Sequence, residues 1–510
     1  MNRIKKILVL LFFVLSINGL HAQHAVETPK LIISITIDQL RGDYLQYFGH
    51  TFGEKGFKRL MREGLYYSSV NFDFPNLSES SAIASIYTGT DPFHHGITGD
   101  KQFDFTNNKE VSIIKDDNFM GNYTTEHVSP LVLQASTVGD ELKIASKGQS
   151  KVFSIAPNAV AALFSAGRYA NAAFWLDDFN GKWATTTYYK DIPDYIDRFN
   201  TTEAIGNYPE RQWNQSYPLY TGFPYTERTA PFSYLFTKND NDRYKKIKKT
   251  ALINSEITLL AGKIFEKAGF TRNTCPDFLS LTYYAGNYPY SSQPTEYSAE
   301  IQDIYHCLDK EIEKLIDMID RKIGLKHVLI ILTSTGYYDA IKTPANNIKP
   351  FGEFYPTRCT SLLNMYLMAI YGQGNWVNGY FDRQIFLNKK LAEEKAVAWN
   401  DLVRKSADFV VQFSGIQDVT LKEANQKRGG DIFIELQPGW IIANENSTQP
   451  VPLREKIVLA PLFFFGENIP QKHVARTVKV TEIAPTLTYL LRIHAPNACK
   501  DKPLDEIFKF

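Results

Sequence analysis

The chain has 510 residues, of which 44% are hydrophobic and 22% are charged, so it can bury a large core and is not expected to be disordered. Its formal net charge is +1 at pH 7, which excludes a strongly basic, nucleic-acid-binding chain. Length alone predicts roughly two to four domain-sized units.

The first 22 residues have the pattern of a secretory signal peptide. Arg3, Lys5 and Lys6 precede an apolar run over 7–20, and Ala22 stands before a predicted cleavage point. A transmembrane helix needs about 20 apolar residues, which neither this run nor any later stretch supplies. We therefore predict an exported mature chain of residues 23–510 with no transmembrane segment of its own.

Buried strands and amphipathic helices alternate along the mature chain. Leu31–Asp38 is a nearly continuous β-branched run, typical of a strand covered on both faces. A helix with one apolar side is predicted over 299–323. The pattern also predicts helices over 52–63 and from 80 to 87, and strands over 151–156, 278–281 and 327–333. This alternation predicts an α/β protein with a mostly parallel sheet between two layers of helices.

Two regions interrupt the alternation and are predicted to be insertions in the main domain. Residues 177–250 are rich in Tyr, Trp, Asn and Pro and end in a basic run over 243–249, which we interpret as a solvated helix face. Residues 344–440 are predicted to form a small α+β unit with a charged helix over 388–413 and a strand over 431–436.

The four cysteines are too far apart for a cysteine zinc site, whose ligands are usually two to four residues apart. Export permits disulfides, but the pairing cannot be derived from the sequence, and free thiols are an equal alternative. The four are Cys275, Cys307, Cys359 and Cys499.

Several motifs along the chain resemble those of one known family. The first predicted strand ends in Asp38, and after a short loop residues 81–89 end in Ile-Tyr-Thr-Gly. Further motifs lie at 181–189, 430–440, 461–466 and 483–499. This layout resembles the alkaline phosphatase superfamily, most closely its phosphate-irrepressible periplasmic alkaline phosphatases and the type I phosphodiesterase and nucleotide pyrophosphatase-like proteins. The resemblance implies an alkaline-phosphatase-like sheet sandwiched by helices, with inserted α+β cap regions.

The resemblance also implies where a site with two metal ions should lie. Asp38 matches the first metal-binding Asp of these enzymes, and Glu79 stands where they have a Thr or Ser nucleophile. The other implied metal-binding positions carry different residue types, namely Tyr283, Asn287, Ser334, Thr335 and Gln449.

The phosphate-binding positions implied by the resemblance differ as well. Asp100 replaces an Asn and would repel a phosphate, and Asn158 and Val160 replace a Lys and an Arg. Electrostatic stabilisation of the transition state is usually the largest catalytic term. We therefore predict that no catalytic, cofactor-binding or metal-binding set remains, so that the chain is an inactive pseudoenzyme and not an enzyme, with no cofactor and no dinuclear zinc centre.

Alternatives to this hypothesis are kept. One is a metal-dependent phosphatase or phosphodiesterase with rebuilt ligands, and another is a carbohydrate- or peptide-binding protein that uses the old cleft. For Asp38 itself, one alternative is a cation held together with Glu79 and Asp100, since Ca²⁺ and Mg²⁺ favour oxygen ligands. The other is a hydrogen bond from backbone amides at a nearby helix start.

The family's usual setting predicts the periplasm, or the periplasmic face of the outer membrane, of a Gram-negative cell envelope. With the phosphate-binding residues replaced, the predicted role is a binding or structural one through protein–protein contacts. The predicted partner is another envelope protein or complex, and no nucleic acid.

Overall fold

A computed structural model describes the chain over residues 28–104, 109–217, 231–291, 298–339, 351–422, 429–437, 439–444, 447–451, 455–456 and 459–508. The side chains of 444–458 are not described. The predicted signal peptide, residues 1–22, lies outside the described residues.

A large mixed sheet forms the centre of the protein. Leu31–Asp38 lies in its middle and pairs in parallel with Asp277–Tyr284 on one side and Val328–Ser334 on the other. Parallel pairing continues to Val152–Ala156 and Ala172–Leu176, beyond which Trp183–Thr186 pairs antiparallel. On the other side, Ala460–Phe465 is antiparallel to both of its neighbours, and the edge strand Lys472–Val474 pairs in parallel with Leu65–Asn71. The described strands follow the spatial order Lys472–Val474, Leu65–Asn71, Ala460–Phe465, Val328–Ser334, Leu31–Asp38, Asp277–Tyr284, Val152–Ala156, Ala172–Leu176, Trp183–Thr186 and Gly121–Asn122, with Val478–Lys479 beside Leu65–Asn71. The predicted α/β class and mostly parallel sheet are confirmed.

Successive side chains of a strand point to opposite faces of the sheet. Since the central strand carries apolar residues at successive positions, both faces are apolar, and helices cover both. Ile33, Ile35 and Ile37 pack into one hydrophobic cluster, whereas Ile32 packs into the other. Ser34 and Thr36 also face the second side, where their hydroxyls lie 3.0 and 3.2 Å from the Tyr87 hydroxyl. The first cluster contains the inner faces of Ala251–Lys267 and Ala299–Lys322, and the second those of Glu79–Thr88, Ala159–Ala166 and Ile483–Leu491.

The remaining elements are short or lie outside these layers. The other described α-helices are Gly42–Tyr47, Phe57–Glu63, Pro92–His95, Val138–Ala145, Asp194–Thr202, Arg243–Ile247, Pro356–Tyr371, Lys389–Glu394 and Trp399–Val410. The 3₁₀ turns are Gly49–Thr51, Thr187–Tyr189, Ile205–Asn207, Leu325–His327, Val480–Glu482 and Asp505–Phe508. Small sheets contain the strands Lys101–Asp104, Lys109–Ser112, Glu210–Asn214, Ser233–Thr237, Tyr337–Tyr338, Gly352–Phe354, Trp440–Asn444, Ser447–Val451 and Glu455–Lys456.

A second α+β unit has a hydrophobic cluster of its own. Its four-stranded sheet has the order Val377–Phe381, Gln384–Leu387, Ile432–Leu436 and Ile416–Leu421. Trp376 and Leu402 are fully buried in its core. The helix predicted over 388–413 is two helices, because Ala396 between them adopts a left-handed φ of 54° that no α-helix contains. The insertion bounds 177–250 and 344–440 stay predictions.

The four cysteines are free thiols, so the structure favours that alternative over a disulfide. None of the helices in the described ranges combines the length and hydropathy needed to cross a bilayer.

Candidate active site

The implied site lies at the carboxyl ends of the central parallel strands, where ligands bind in open α/β sheets. Asp38 is the last residue of its strand and pairs in register with Tyr284, the last residue of the neighbouring strand. Ser334 ends the strand on the other side, and Thr335 follows it. Three chain segments far apart in sequence therefore meet at this edge.

Asp38 is held by two hydroxyl groups. Thr335 Oγ1 and Tyr337 Oη donate hydrogen bonds of 3.0 and 2.7 Å to Asp38 Oδ1, and the residue is only 3% exposed. Thr335 Oγ1 in turn accepts from the backbone N–H of Gln39 at 2.9 Å. These hydroxyl contacts hold Oδ1 of the Asp38 carboxylate in place.

Glu79 is the first residue of the helix Glu79–Thr88, which begins with a capping box between Ser78 and Ser81. Asn158 Nδ2 donates to Glu79 Oε1 and Oε2 at 3.2 and 3.0 Å. Burial, followed by the charges of Asp38 and Asp100, raises the pKa of Glu79 to about 8, although Lys249 and Asn158 act in the opposite direction. At neutral pH the Glu79 carboxyl is therefore protonated.

Asp100 lies at the same helix start and bonds to it directly. Its Oδ1 accepts from the backbone N–H of Ser80 at 3.0 Å and from Ser80 Oγ at 2.7 Å. A hydrogen bond from a helix-start amide, which is one alternative for Asp38, is observed at Asp100. A negative charge here is stabilised by the amino end of the helix dipole.

Lys249 is a site residue that the sequence analysis missed. Its Nζ lies 4.5 Å from the centre of the Tyr284 ring, and its positive charge lowers the pKa of Glu79. The basic run over 243–249 was interpreted as a solvated helix face, but its other lysines form ion pairs with acids outside the cleft. The sequence signal that could have found Lys249 is its place in the turn before Thr250, which caps the next helix.

The implied metal-binding positions beyond Asp38 have become neutral and internally bonded. Tyr283 is fully buried in the core with its Oη 3.0 Å from Thr258 Oγ1. Asn287 Nδ2 donates to the carbonyl of Asp339 at 2.6 Å, and Asn287 Oδ1 accepts from the Tyr338 hydroxyl. Ser334 Oγ donates to the carbonyl of Leu40 at 2.7 Å.

Besides the core residue Tyr283, one predicted site residue packs away from the site and one cannot be placed. Val160 packs its side chain against the second hydrophobic cluster. The side chain of Gln449 lies outside the described residues. The structure therefore brings together Asp38, Glu79, Asp100, Asn158 and Thr335, and it adds Lys249, Tyr284 and Tyr337 to them.

The described donors do not complete a two-zinc centre. A zinc ion takes about four ligands from His, Cys, Asp or Glu side chains. In the ranges that the structure describes, no three such side chains are placed to hold one metal ion together. The chemistry that can be derived from this site therefore rests on its acids, its amide and Lys249.

Comparisons with known proteins cover nearly the whole chain. Residues 32–460 match the family described as Type I phosphodiesterase / nucleotide pyrophosphatase. The alkaline phosphatase PafA of Elizabethkingia meningoseptica is 27% identical over 99% of this chain and 99% of its own length. The alkaline phosphatase PhoV of Synechococcus elongatus is 28% identical over 95% of this chain and 94% of its own length.

The crystal structure of wild-type PafA is similar to this structure with a TM-score of 0.77. The superposition covers 95% of this chain and 99% of that chain at 24% sequence identity, which shows the fold. The predicted resemblance to the alkaline phosphatase superfamily is confirmed, and these relatives also support an exported protein.

The same comparisons correct the predicted function. The predictions of an inactive pseudoenzyme and of no enzyme activity are wrong, because relatives that match along nearly the full length are named alkaline phosphatases. The predictions of no cofactor and of no dinuclear zinc centre are contradicted as well, because the chain and these relatives belong to the superfamily for which the resemblance implies a site with two metal ions. The physical reason for the error is that replaced residues at implied positions say nothing of other charged groups, such as Lys249, that the fold brings to the cleft.

Proposed function

Because the chain belongs to the type I phosphodiesterase / nucleotide pyrophosphatase family, we propose that it is a phosphoric ester hydrolase whose reaction takes place between Asp38, Glu79 and Lys249. The observation that carries this proposal is the convergence of three charged groups around Glu79 at one strand edge, where Asp38, Asp100 and Lys249 all act on its pKa. Strongly perturbed titratable groups in a cleft are typical of catalytic sites.

Glu79 has the protonation state of a general acid. A carboxyl group with a pKa near 8 holds its proton at neutral pH and can give it to the leaving alkoxide oxygen. In the proposed reaction, water attacks phosphorus, the phosphorus–oxygen ester bond breaks, and the alcohol leaves with the proton of Glu79. The proton that the attacking water loses then restores the Glu79 carboxyl.

Asp38 and Asn158 have supporting roles in this proposal. The two hydroxyl donors keep Asp38 in one orientation, from which it can accept a hydrogen bond from the attacking water. Asn158 contacts both Glu79 oxygens and so holds the acid at the helix start. Positioned proton transfer contributes about 10²–10⁴-fold to rate.

The test is turnover by the purified mature chain. An aryl phosphate and an aryl phosphodiester are supplied from pH 6 to 10 with zinc, with magnesium or with a chelator. We expect hydrolysis that falls at least about 100-fold in Asp38→Asn and in Glu79→Gln. The exposed Glu110, paired with Lys101 at 2.9 Å, provides the control Glu110→Gln, which keeps wild-type turnover.

Two outcomes contradict the proposal. One is folded protein that hydrolyses neither ester under any of these conditions. The other is turnover that is equal in wild type and Asp38→Asn, which identifies a contaminating hydrolase. Thermal unfolding of each variant confirms that the compared proteins are folded.

The finer location and the partner are proposed separately. We propose the periplasm, or the periplasmic face of the outer membrane, as the site of the mature chain, on the basis of the signal-like residues 1–22. The partner proposed is another envelope protein. Affinity purification of the tagged chain from its native envelope tests this, and the absence of a stoichiometric companion contradicts it.

A further inference from the structure

Lys249 differs from its neighbours in the basic run. Lys245, Lys246 and Lys248 form ion pairs with Asp242, Asp240 and Asp178 at 3.3, 2.7 and 2.5 Å. Lys249 forms no ion pair with a carboxylate of the described residues; its ammonium group lies against the face of Tyr284. The charge of Lys249 is therefore not neutralised by an ion pair with one carboxylate of the described residues.

The position of Lys249 is fixed from both sides. Its backbone N–H donates to the carbonyl of Lys246 at 3.0 Å, and the next residue, Thr250, caps the helix Ala251–Lys267. One turn into that helix, Asn254 Nδ2 donates to the carbonyl of Tyr284 and Asn254 Oδ1 accepts from its N–H, both at 2.8 Å. The lysine and the aromatic ring beneath it are thus parts of one rigid corner.

That corner faces the acids of the cleft. The pKa of Tyr284 is raised first by burial and then by the charges of Asp38, Asp339 and Glu79. Lys249 above the Tyr284 ring therefore stands among carboxyl groups that it does not bind directly. The carboxylates of the site alone would repel an anion. An ammonium group in this place offsets that repulsion and attracts an anion.

We propose that Lys249 binds the phosphoryl oxygens of the substrate, as the cation of a site for a tetrahedral oxyanion. Lysine suits this role because its ammonium group is a compact point charge with three donors. The identity of the anion, a phosphoryl group, rests on the proposed function of the chain as a phosphoric ester hydrolase. It names Lys249 as a binding residue, whereas proton transfer stays with Glu79.

The probe is inorganic phosphate, whose binding is measured by titration calorimetry at pH 7 without any turnover. The mature chain is compared with Lys249→Met, Lys249→Arg and the control Lys245→Met, a lysine of the same run that is paired with Asp242. We expect binding to weaken at least about tenfold in Lys249→Met, while Lys249→Arg stays within about threefold and the control is unchanged. Equal binding by wild type and Lys249→Met, or no phosphate binding by wild type at millimolar concentration, overturns the proposal.

A second readout separates a charge effect from a packing effect. Because the Lys249 charge lowers the pKa of Glu79, its removal in Lys249→Met raises that pKa further, whereas Lys245→Met leaves it unchanged. Carbon-detected NMR of the glutamate carboxyl measures the shift, and no shift contradicts the placement of Lys249.

The outcomes also separate this proposal from the proposed function. Phosphate binding that needs Lys249, in a chain that hydrolyses no ester, supports the lysine site and refutes the hydrolase. If the chain hydrolyses esters but Lys249→Met binds phosphate as tightly as the wild type, the hydrolase is supported and the lysine site is refuted.

Discussion

The two sides of the strand-edge cleft have opposite characters. On one side, the charges of Asp100 and Lys249 act on the protonated Glu79 carboxyl, the first raising its pKa and the second lowering it. On the other side, Asn287 and Ser334 are neutral, and each bonds to a backbone carbonyl of a neighbouring segment. The family resemblance implies functional positions on both sides, namely Glu79 and Asp100 on the first and Asn287 and Ser334 on the second. Only the first side keeps groups that can exchange protons or attract a phosphate.

The difference shows how two halves of one site can diverge. Neutral side chains that satisfy each other stabilise the fold, because a satisfied buried hydrogen bond avoids a desolvation penalty. Charged side chains crowded together cost folding free energy and are kept where they act on a ligand. Variants on the charged side should therefore change pH behaviour, and variants on the neutral side should change stability alone.

The largest effect is expected for Glu79→Gln at alkaline pH. The folded-state pKa of Glu79, about 8, is above the value of 4.5 that applies to the unfolded chain, so folding takes up a proton between these values. The free energy of unfolding of the wild type therefore falls as pH rises from 4.5 to about 8 and then levels off. Glutamine does not titrate, so the variant should be more stable than the wild type by roughly 5 kcal/mol at pH 9 and by little at pH 4.

Urea denaturation at several pH values measures this difference. Glu110→Gln, which changes an exposed carboxylate, should show no such trend. Equal stability of Glu79→Gln and wild type at pH 9 would mean that folding does not raise the pKa of Glu79, which would then be ionised at neutral pH. Repeating the series with zinc or magnesium shows whether a bound cation removes the trend.

The fold was predictable because its signals are local. The β-branched run Leu31–Asp38 and the apolar stripe of Ala299–Lys322 each appear within one segment, and both elements form at the predicted places. The left-handed residue Ala396 gave no comparable signal, since alanine normally favours a helix. The predicted helix around it was therefore too long.

The site was predictable only in part because its contacts are remote in sequence. Asp38 and Glu79 were identified from residues near them, but Tyr337 reaches Asp38 across 299 positions. The placement of Lys249 depends on the turn before Thr250, and residue type alone does not distinguish this lysine from the others of the run. The residue types at the positions that the family resemblance implies therefore did not predict the positive charge of Lys249 at this site.

On the neutral side, Asn287→Ala should destabilise the fold by about 2 kcal/mol, because the buried Tyr338 hydroxyl loses its acceptor. The carbonyl of Asp339 also loses the donor Asn287 Nδ2. Urea denaturation measures the cost. The double variant with Tyr338→Phe should lose less than the sum of the single variants, because it removes the orphaned hydroxyl. Additive costs, or a pH trend like that of Glu79→Gln, would contradict a purely structural role.

The smallest effect is expected at Tyr283, and it should be asymmetric. Thr258 Oγ1 donates to the carbonyl of Asn254 at 3.1 Å, so the Tyr283 hydroxyl is the donor to Thr258. Tyr283→Phe leaves Thr258 with its acceptor and should cost less than about 1 kcal/mol, whereas Thr258→Val strands the fully buried Tyr283 hydroxyl and should cost about 1–3 kcal/mol. Thermal unfolding of the two variants measures the order of these costs. The reverse order would mean that the Tyr283 hydroxyl has an acceptor other than Thr258.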